Sequence, residues 1–154
     1  MPVPTLLPAT QDDAPEVLVL QRCCWVTEAV ANGTLDIPPL HEDLGDVRGW
    51  IGTAWVLRDG SRLIGGVRAA LEGDAWHIGR LMVAPDRRGE GLGRLLLAHI
   101  ESVAPQQVTR FALFTGAGST ANQALYERAG YRRTGTDGVV VHLEKPRPEE
   151  PDLH

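Results

Sequence analysis

Apolar positions along the chain follow two periods, which predict where helices and strands form. In Pro15–Ala31 and in Gly91–Val103, apolar residues recur every three to four positions, as on one face of a helix. Asp12 and Asp13 can cap the first of these helices, and Pro15 suits its first turn. Two further helices are predicted, one at Leu44–Ile51 and one that follows Ser119 and ends before Tyr131.

Shorter apolar runs between turn residues predict the strands. The Asp59-Gly60 pair separates two such runs, which predicts a β-hairpin, and Gly73-Asp74 turns the chain into a third strand. The stretch Asn32–His41 is predicted as a loop, because it contains Asn-Gly and Pro-Pro pairs. The predicted strands are Val3–Leu7, Thr53–Arg58, Arg62–Ala70, Ala75–Val83, Arg110–Thr115 and a final pair, Tyr131–Gly135 and Val139–Glu144.

Length and composition favour one globular domain. A chain of 154 residues supports a single hydrophobic core, and its hydrophobic fraction of 43% is ordinary for such a domain. We expect the domain to span residues 1–144. We expect the proline-rich and acidic tail, Lys145–His154, to be disordered.

Charge and cysteine content exclude some classes of protein. The net charge of −5 argues against a nucleic-acid partner, because proteins that bind phosphate backbones usually carry a basic face. No apolar run approaches the ~20 residues of a membrane span, and Met1–Thr10 lacks the features of a signal peptide. Cys23 and Cys24 are adjacent, so a disulfide between them would be strained, and free thiols in a reducing cytoplasm are expected.

The stretch Val83–Arg94 carries the clearest chemistry, because it connects a predicted strand to a predicted helix through a basic, glycine-rich turn. Such a turn presents backbone N–H groups, and the helix N-terminus adds unsatisfied donors and a partial positive charge. The pattern predicts a phosphate-binding site, with a glycine-rich surface turn as the alternative. The glycines and arginines of this turn are Arg87, Arg88, Gly89, Gly91, Gly93 and Arg94.

Two common phosphate-binding motifs do not fit this stretch. A dinucleotide-binding fingerprint needs a third glycine where Arg94 stands and an acidic residue about 20 positions further on, yet Val108–Phe114 holds none. A P-loop needs Gly-Lys followed by Ser or Thr, which the chain lacks. The pattern that fits is Arg-x-x-Gly-x-Gly, present as Arg88–Gly93.

The predicted helix after the fifth strand carries a polar pair on one face. Asn122 and Tyr126 are four residues apart, so they share that face. Thr120 and Gln123 can form a capping box at the start of the helix, and Gly130 suits a left-handed residue at its end.

Together the two motifs resemble those of the GNAT N-acetyltransferases, which bind acetyl-coenzyme A. The likeness covers roughly Trp76–Tyr131, and both motifs stand in the family's order and spacing. It implies an α/β fold of the α+β kind, a mixed, mostly antiparallel sheet of roughly six or seven strands flanked by about four helices. It also implies acetyl-coenzyme A as co-substrate, an amine acceptor, no metal, and homodimer formation through a sheet edge or the C-terminal hairpin.

The resemblance assigns roles to residues of this chain. The loop would hold the pyrophosphate through backbone N–H groups, and the end of the preceding strand would pair with the pantetheine arm. Asn122 would hydrogen-bond that arm, although a polar residue at a helix start is the alternative. An N–H near Met82 or Val83 would meet the thioester carbonyl. The predicted cofactor-binding residues are Leu81, Met82, Val83, Arg88, Gly89, Gly91, Leu92, Gly93, Arg94, Asn122 and Tyr126.

Tyr126 is the predicted general acid, because a phenol can protonate the departing sulfur; a half-buried structural tyrosine is the alternative. The general base is less defined, since many family members carry a Glu where this chain has Gly79 and Arg80. We predict His77 for this role, because the unperturbed pKa of histidine is about 6.5. The alternatives are Glu28, His41, Glu42 or a chain of waters.

The resemblance places the acceptor between the first two helices and the final hairpin, at roughly Glu28–Asp46 and Gly135–Val139. Acidic residues there would attract a cationic amine or simply lie in a solvated loop. Arg80 could instead bind an anionic group of the acceptor. Trp25 and Trp50 either line the pocket or fill the core. The acidic residues are Asp36, Glu42, Asp43 and Asp46.

Three functions fit the sequence. The first is transfer of an acetyl group from acetyl-coenzyme A to a primary amine of a small molecule or amino-acid-like metabolite, by direct attack in a ternary complex with Tyr126 as acid. The second is acetylation of a protein N-terminus or lysine. The third is a non-catalytic acyl-coenzyme A sensor or interaction module, which the missing Glu permits. A toxin acting on aminoacyl-tRNA is disfavoured by the net charge of −5.

Overall fold

One seven-stranded sheet organises the part of the chain that the computed structural model describes, residues 4–149. The strands are β1 (Thr5–Pro8), β2 (Ala54–Asp59), β3 (Arg62–Glu72), β4 (Ala75–Val83), β5 (Arg110–Gly116), β6 (Arg132–Asp137) and β7 (Val140–Pro146). The helices are α1 (Ala14–Ala31), α2 (Pro38–His41), α3 (Leu44–Trp50), α4 (Leu92–Ser102) and α5 (Thr120–Arg128). The spatial order is β1-β2-β3-β4-β5-β7-β6, and all neighbours are antiparallel except β4 and β5.

The two faces of the sheet are covered by different helices. Gly65 of β3 lies against Leu96 of α4, and a Cβ at Gly65 would come within 3.0 Å of the Leu96 side chain. Arg68, three residues further along β3, lies over the Trp50 ring of α3. Since successive strand residues point to opposite faces, α4 covers one face, and α3, with α1 packed beside it, covers the other.

Helix α4 buries a narrower stripe than its sequence predicts. Leu92, Leu96 and Ile100 recur at four-residue spacing, and all three are buried. Leu95 and Val103, which the periodicity also assigns to the buried face, are 40% and 36% exposed. Leu97, which is 2% exposed, is buried with the other three, so the buried stripe includes Leu97 in place of Leu95 and Val103.

Strands β4 and β5 part soon after they meet. They pair over three positions, the last of which joins His77 to Ala112. Further along, β4 carries one extra residue relative to β3, because Arg68 pairs with Gly79 while Gly66 pairs with Met82. The end of β4 is therefore bulged and open on the side of β5.

Arg80 occupies this bulge with a φ of 50°. The left-handed region is costly for a residue that has a side chain, by about 1–2 kcal/mol. A bulge of this kind redirects the strand and its side chains at the point where pairing with β5 has stopped. Because position 80 is not a glycine, the sequence gives no local sign of this left-handed conformation.

Some predicted boundaries are wrong. Helix α2 forms inside the stretch predicted as a loop, and β7 runs to Pro146, two residues into the predicted disordered tail. Lys145 is ordered by its neighbours, with its Nζ 3.0 Å from the carboxylate of Glu101. Val3, which begins the first predicted strand, and residues 150–154 of the predicted tail lie outside the described residues.

Candidate active site

A cleft of about 370 Å³ lies beside the unpaired end of β4. Its walls are the end of β4, the β4–α4 loop, the start of α4, helix α5 and the second half of α1. The first three are continuous in sequence, whereas α1 and α5 are brought to the cleft by the fold.

The β4–α4 loop forms one wall with little side-chain bulk. Gly89 and Gly91 have φ values of 84° and 78°, which glycine adopts without strain. No atom lies within 4 Å of a Cβ built on either glycine, so the space beside the loop is open. Helix α4 starts at Leu92, and no side chain among the described residues caps its first N–H groups. This helix end therefore offers donors and partial positive charge to an anion.

The arginines near the loop fall into two groups. Arg87 forms ion pairs with Glu90 and Asp59, at 2.8 Å and 2.7 Å, and these contacts raise its pKa. Its charge is therefore already balanced. Within residues 4–149, the arginines that line the cleft without an ion pair are Arg88, Arg94 and Arg128. The sequence motif predicts the first two; the third stands at the end of α5, where nothing in the local pattern marks it.

Successive side chains at the end of β4 point alternately into the cleft and into the core. Leu81 and Val83 line the cleft, while Met82 points into the core and is 2% exposed. The Sγ of Cys24 on α1 donates to the Val83 carbonyl at 3.2 Å. Burial raises the pKa of this thiol to about 11, so it stays protonated at neutral pH. An open strand edge of this kind can hydrogen-bond an extended amide chain.

Helix α5 carries both residues of the predicted polar pair, but one lies at the surface of the cleft and the other is buried. Asn122 lines the cleft, whereas Tyr126 lies behind its wall: it is not a lining residue and is only 7% exposed, with its ring centre 6.1 Å from that of Tyr131. Burial, and after it the negative charge of Glu28, raises the pKa of the Tyr126 phenol. The phenol therefore remains protonated, and within the described residues its hydroxyl has no hydrogen-bond partner.

The predicted capping box of α5 is wrong. The side-chain amide of Gln123 is directed away from Thr120 and donates to the carbonyls of Gly116 and Ala117, at 2.9 Å and 3.0 Å. These bonds tie α5 to the end of β5. They hold the helix where Asn122 reaches the cleft.

Glu28 is the carboxylate that α1 brings to the cleft. The Ser119 hydroxyl, just before α5, donates to the Glu28 carboxylate. Asn32 donates from Nδ2 to the Glu28 main-chain carbonyl at 2.7 Å and to Ser119 Oγ at 3.0 Å, and its Oδ1 accepts from the Gly118 N–H at 2.7 Å. These bonds fasten the end of α1 to the start of α5 and hold Glu28 near Tyr126.

His77, the residue predicted as general base, does not line the cleft. It lies in the part of β4 that is still paired with β5, opposite Ala112, and its Nε2 is 3.1 Å from the Glu72 carboxylate. The β4 wall of the cleft begins only at Leu81. Histidine has a suitable pKa for a general base, but the position of His77 along the strand places it outside the cleft.

The acidic residues between α1 and α3 are engaged locally. Asp36 lies 2.5 Å from His41 Nε2, on an exposed loop, so His41 is also directed away from the cleft. Asp43 and Asp46 accept hydrogen bonds from each other's backbone N–H groups and cap α3. These side chains therefore organise the loop, and the solvated-loop interpretation fits them better than attraction of a cation.

The fold and the cleft together define a class. The sheet parts beside a glycine-rich loop at an uncapped helix end, which suits a phosphate-bearing ligand. A carboxylate near a protonated phenol can take up and donate protons next to that ligand. Among residues 4–149, no helix is both long and apolar enough to cross a bilayer. Over the same range, no three His, Cys, Asp or Glu side chains are placed to share a metal ion.

Comparison with known protein families makes the assignment specific. The model of the acetyltransferase (GNAT) family matches residues 15–131, and the chain belongs to that family. The matched range contains every wall of the cleft. The family, the fold class and the acyltransferase class predicted from the sequence are confirmed.

Solved structures share the fold at low sequence identity. The PaiA N-acetyltransferase from Thermoplasma acidophilum, in complex with coenzyme A, superposes with a TM-score of 0.84 and 15% identity over 94% of this chain and 99% of that one. The ribosomal-protein-S18-alanine N-acetyltransferase from Escherichia coli gives 0.73 and 16% over 99% of each chain. N-acetylglutamate synthase from Neisseria gonorrhoeae gives 0.76 and 19%, but this chain spans only 36% of it. No curated protein sequence matches the chain.

Proposed function

We propose that the protein transfers the acetyl group of acetyl-coenzyme A to the primary amine of a small molecule or amino-acid-like metabolite. The observation that carries the proposal is one cleft that joins an anion-binding loop to Glu28, with Tyr126 beside it. Membership of the GNAT family supports the reaction class. The coenzyme A in the PaiA structure supports the choice of cofactor.

The cleft fits a ligand with a pyrophosphate and an extended arm. The open space beside Gly89 and Gly91, together with the uncapped end of α4, suits the pyrophosphate. The unpaired edge of β4 at Leu81–Val83 suits the amides of the arm, and Asn122 faces it from α5. Three arginines without ion pairs among the described residues supply positive charge: Arg88, Arg94 and Arg128.

The proton transfers can be assigned to two side chains. In the reaction, the amine nitrogen forms a bond to the thioester carbonyl carbon while the carbon–sulfur bond breaks. The nitrogen gives up one proton and the sulfur takes one. We assign the first proton to the Glu28 carboxylate, which Ser119 orients, and the second to the Tyr126 phenol, which stays protonated. Glu28 thereby takes the role that sequence reasoning gave to His77.

The cofactor is tested by thermal unfolding with acetyl-coenzyme A, coenzyme A or NAD. A ligand at 100 times its dissociation constant adds about 2.7 kcal/mol to the free energy of unfolding. We expect both coenzyme A species to raise the melting temperature and NAD to leave it unchanged. If none of the three stabilises the fold, the loop is not a working pyrophosphate site and the proposal fails.

The reaction is tested by mass spectrometry of mixtures containing acetyl-coenzyme A and a panel of amines and peptides. Acetylation of small amines supports the proposal. Acetylation of peptides alone would point to a protein N-terminus or lysine as acceptor. Stabilisation by coenzyme A without any acetylated product would overturn the enzymatic proposal in favour of a sensor.

A further inference from the structure

Arg68 of β3 is a half-buried cation without a partner. It lies across from Gly79 of β4, and its guanidinium carbon is 5.0 Å from the centre of the Trp50 ring. Within the described residues its side chain forms neither a hydrogen bond nor an ion pair. Burial, and after it the charge of Arg80, lowers the pKa of this guanidinium, but arginine keeps its charge at neutral pH.

This isolation sets Arg68 apart from every other half-buried arginine in residues 4–149. Buried or half-buried charges are normally paired, because an unpaired charge loses hydration without compensation. The paired arginines are Arg58 with Asp13 and Glu16, Arg80 with Glu42, Arg87 with Glu90 and Asp59, and Arg147 with the carbonyls of Ala104, Pro105 and Val108.

The nearby carboxylate does not balance both arginines. Glu42 Oε1 accepts from Arg80 Nη2 at 2.8 Å and from Gln21 Nε2 at 2.9 Å, and Oε2 accepts from Trp50 Nε1 at 3.1 Å. One negative charge therefore faces two guanidiniums, and the cluster keeps a net positive charge on Arg68. Gly79 opposite has no side chain that could cover it.

The cluster adjoins the proposed reaction site through Arg80. The Arg80 guanidinium lies 5.9 Å from the centre of the Trp25 ring, and Trp25 lines the cleft. Arg80 is also the bulged residue directly before Leu81, where the β4 wall of the cleft begins. Neither arginine lines the cleft itself, but Arg68 pairs with Gly79, two residues and about 7 Å of strand before Leu81, which is within the length of a small acceptor.

We propose that Arg68 binds a carboxylate of the acceptor, so that the substrate is an amino acid or another amine that carries a carboxylate. This inference rests on the proposed acetyl transfer and narrows its substrate class. Guanidinium and carboxylate form two parallel hydrogen bonds, which select this group over a neutral amide of the same size. Arg80 holds Glu42 away from Arg68 and is a positioning residue in this scheme.

The test compares isosteric acceptors in wild type and variants. Proteinogenic amino acids, β-alanine and 4-aminobutyrate are each assayed beside their primary amides, with acetyl-coenzyme A saturating. We expect wild type to favour the carboxylate in kcat/KM by about 10- to 100-fold, the range for hydrogen bonds to charged groups. Arg68→Met should abolish that preference, and Arg68→Lys should restore part of it.

The controls separate this inference from the proposed function. Arg48→Met removes an exposed arginine that donates a hydrogen bond to Gln11, and should keep the preference. Stabilisation of Arg68→Met by acetyl-coenzyme A shows that the variant is folded. Equal activity of wild type on acids and amides, or an unchanged preference in Arg68→Met, overturns the inference alone. If neither kind of acceptor is acetylated while other small amines are, the inference fails and the proposed function stands; if no amine is acetylated, both fail.

Discussion

The proposed site has two halves that are built differently: the cleft, where we place the cofactor, and a side-chain cluster beside it, where we place the acceptor. The cofactor half is built mainly from backbone: two left-handed glycines, an uncapped helix end and an unpaired strand edge. The acceptor half is built from side chains: Glu42 is bonded to Arg80, Gln21 and Trp50, and Arg68 has no partner among the described residues. A site built from backbone groups depends on backbone conformation, so most substitutions near it leave ligand binding unchanged. In a site built from side chains, each substitution can change which ligand is bound.

The largest effect is expected at Tyr126, the proposed general acid. Tyr126→Phe keeps the buried ring and removes the proton donor, so kcat should fall by about 10²- to 10⁴-fold while the KM for acetyl-coenzyme A is unchanged. The matched control is Tyr131→Phe, whose hydroxyl bonds Glu101 at 2.7 Å away from the cleft. Steady-state kinetics at saturating acceptor checks both. Equal kcat for Tyr126→Phe and wild type would contradict the assigned acid.

The same residue predicts the alkaline side of the pH profile. Burial and the Glu28 charge raise the pKa of Tyr126 above its ordinary value of about 10, so the phenol keeps its proton as pH rises. The kcat of wild type should therefore stay level from neutral pH to about 10. A fall in that range that disappears in Tyr126→Phe would show that the phenol ionises and would sink this prediction.

The cofactor half is tested by adding a single methyl group. Gly91→Ala forces a Cβ into the left-handed region, and the new atom occupies the space in which we place the pyrophosphate. We expect the KM for acetyl-coenzyme A to rise about tenfold, a difference of about 1.4 kcal/mol. Gly60→Ala is the control, because Gly60 has a φ of 60° and open space but lies in the β2–β3 turn. Both variants should lose a similar free energy of unfolding, about 1–2 kcal/mol. A similar KM for acetyl-coenzyme A in both variants would argue against a backbone site at Gly91.

The acceptor half is tested by Glu42→Gln, which removes the negative charge that pairs with Arg80. Leaving this part-buried guanidinium without a counter-charge should cost about 1–3 kcal/mol of stability and raise the KM for the acceptor, not for acetyl-coenzyme A. Glu16→Gln removes a carboxylate that is 3.0 Å from Arg58 and outside the cleft, so neither KM should change. A raised KM for acetyl-coenzyme A in Glu42→Gln would mean that the two halves are not separate.

Glu42 also predicts a pH dependence of stability. Burial acts against its ionised form, but the hydrogen bonds and charge of Arg80, together with the hydrogen bonds from Gln21 and Trp50, outweigh burial and lower the pKa of Glu42. A lowered folded-state pKa contributes stability above the unfolded value of about 4.3, and this contribution is lost as pH falls through the folded pKa. Denaturant unfolding across this acidic range should show a smaller loss of stability in Glu42→Gln than in wild type.

The smallest effect is expected at the rim of the cofactor half. Arg128 lines the cleft but is exposed to solvent, so its charge should contribute only about 0.2–1 kcal/mol, or up to about fivefold in the KM for acetyl-coenzyme A. Arg132→Met removes an exposed arginine of β6 as the control. Added salt should weaken the effect of Arg128→Met, and an effect that is independent of salt would indicate a packing role.

Much of the cofactor half could be predicted from the sequence, because its features depend on neighbouring residues. Positive φ at Gly89 and Gly91 follows from the glycines themselves, and the shared face of Asn122 and Tyr126 follows from helical spacing. The acceptor half could not be predicted in this way. Its most informative residue, Arg68, is defined by the lack of any partner, which no local pattern can show.

By itself the sequence determined the order of the strands and of every helix but α2, the loop Arg88–Gly93 and thereby the family. The tertiary structure decided the bulge at Arg80, the exclusion of His77 from the cleft and the contact between Glu28 and Ser119, which are 91 residues apart. The physical reason is the range of the forces involved. Backbone conformation and helix periodicity are set within a few residues, whereas access, pairing and charge balance depend on which distant segments pack together.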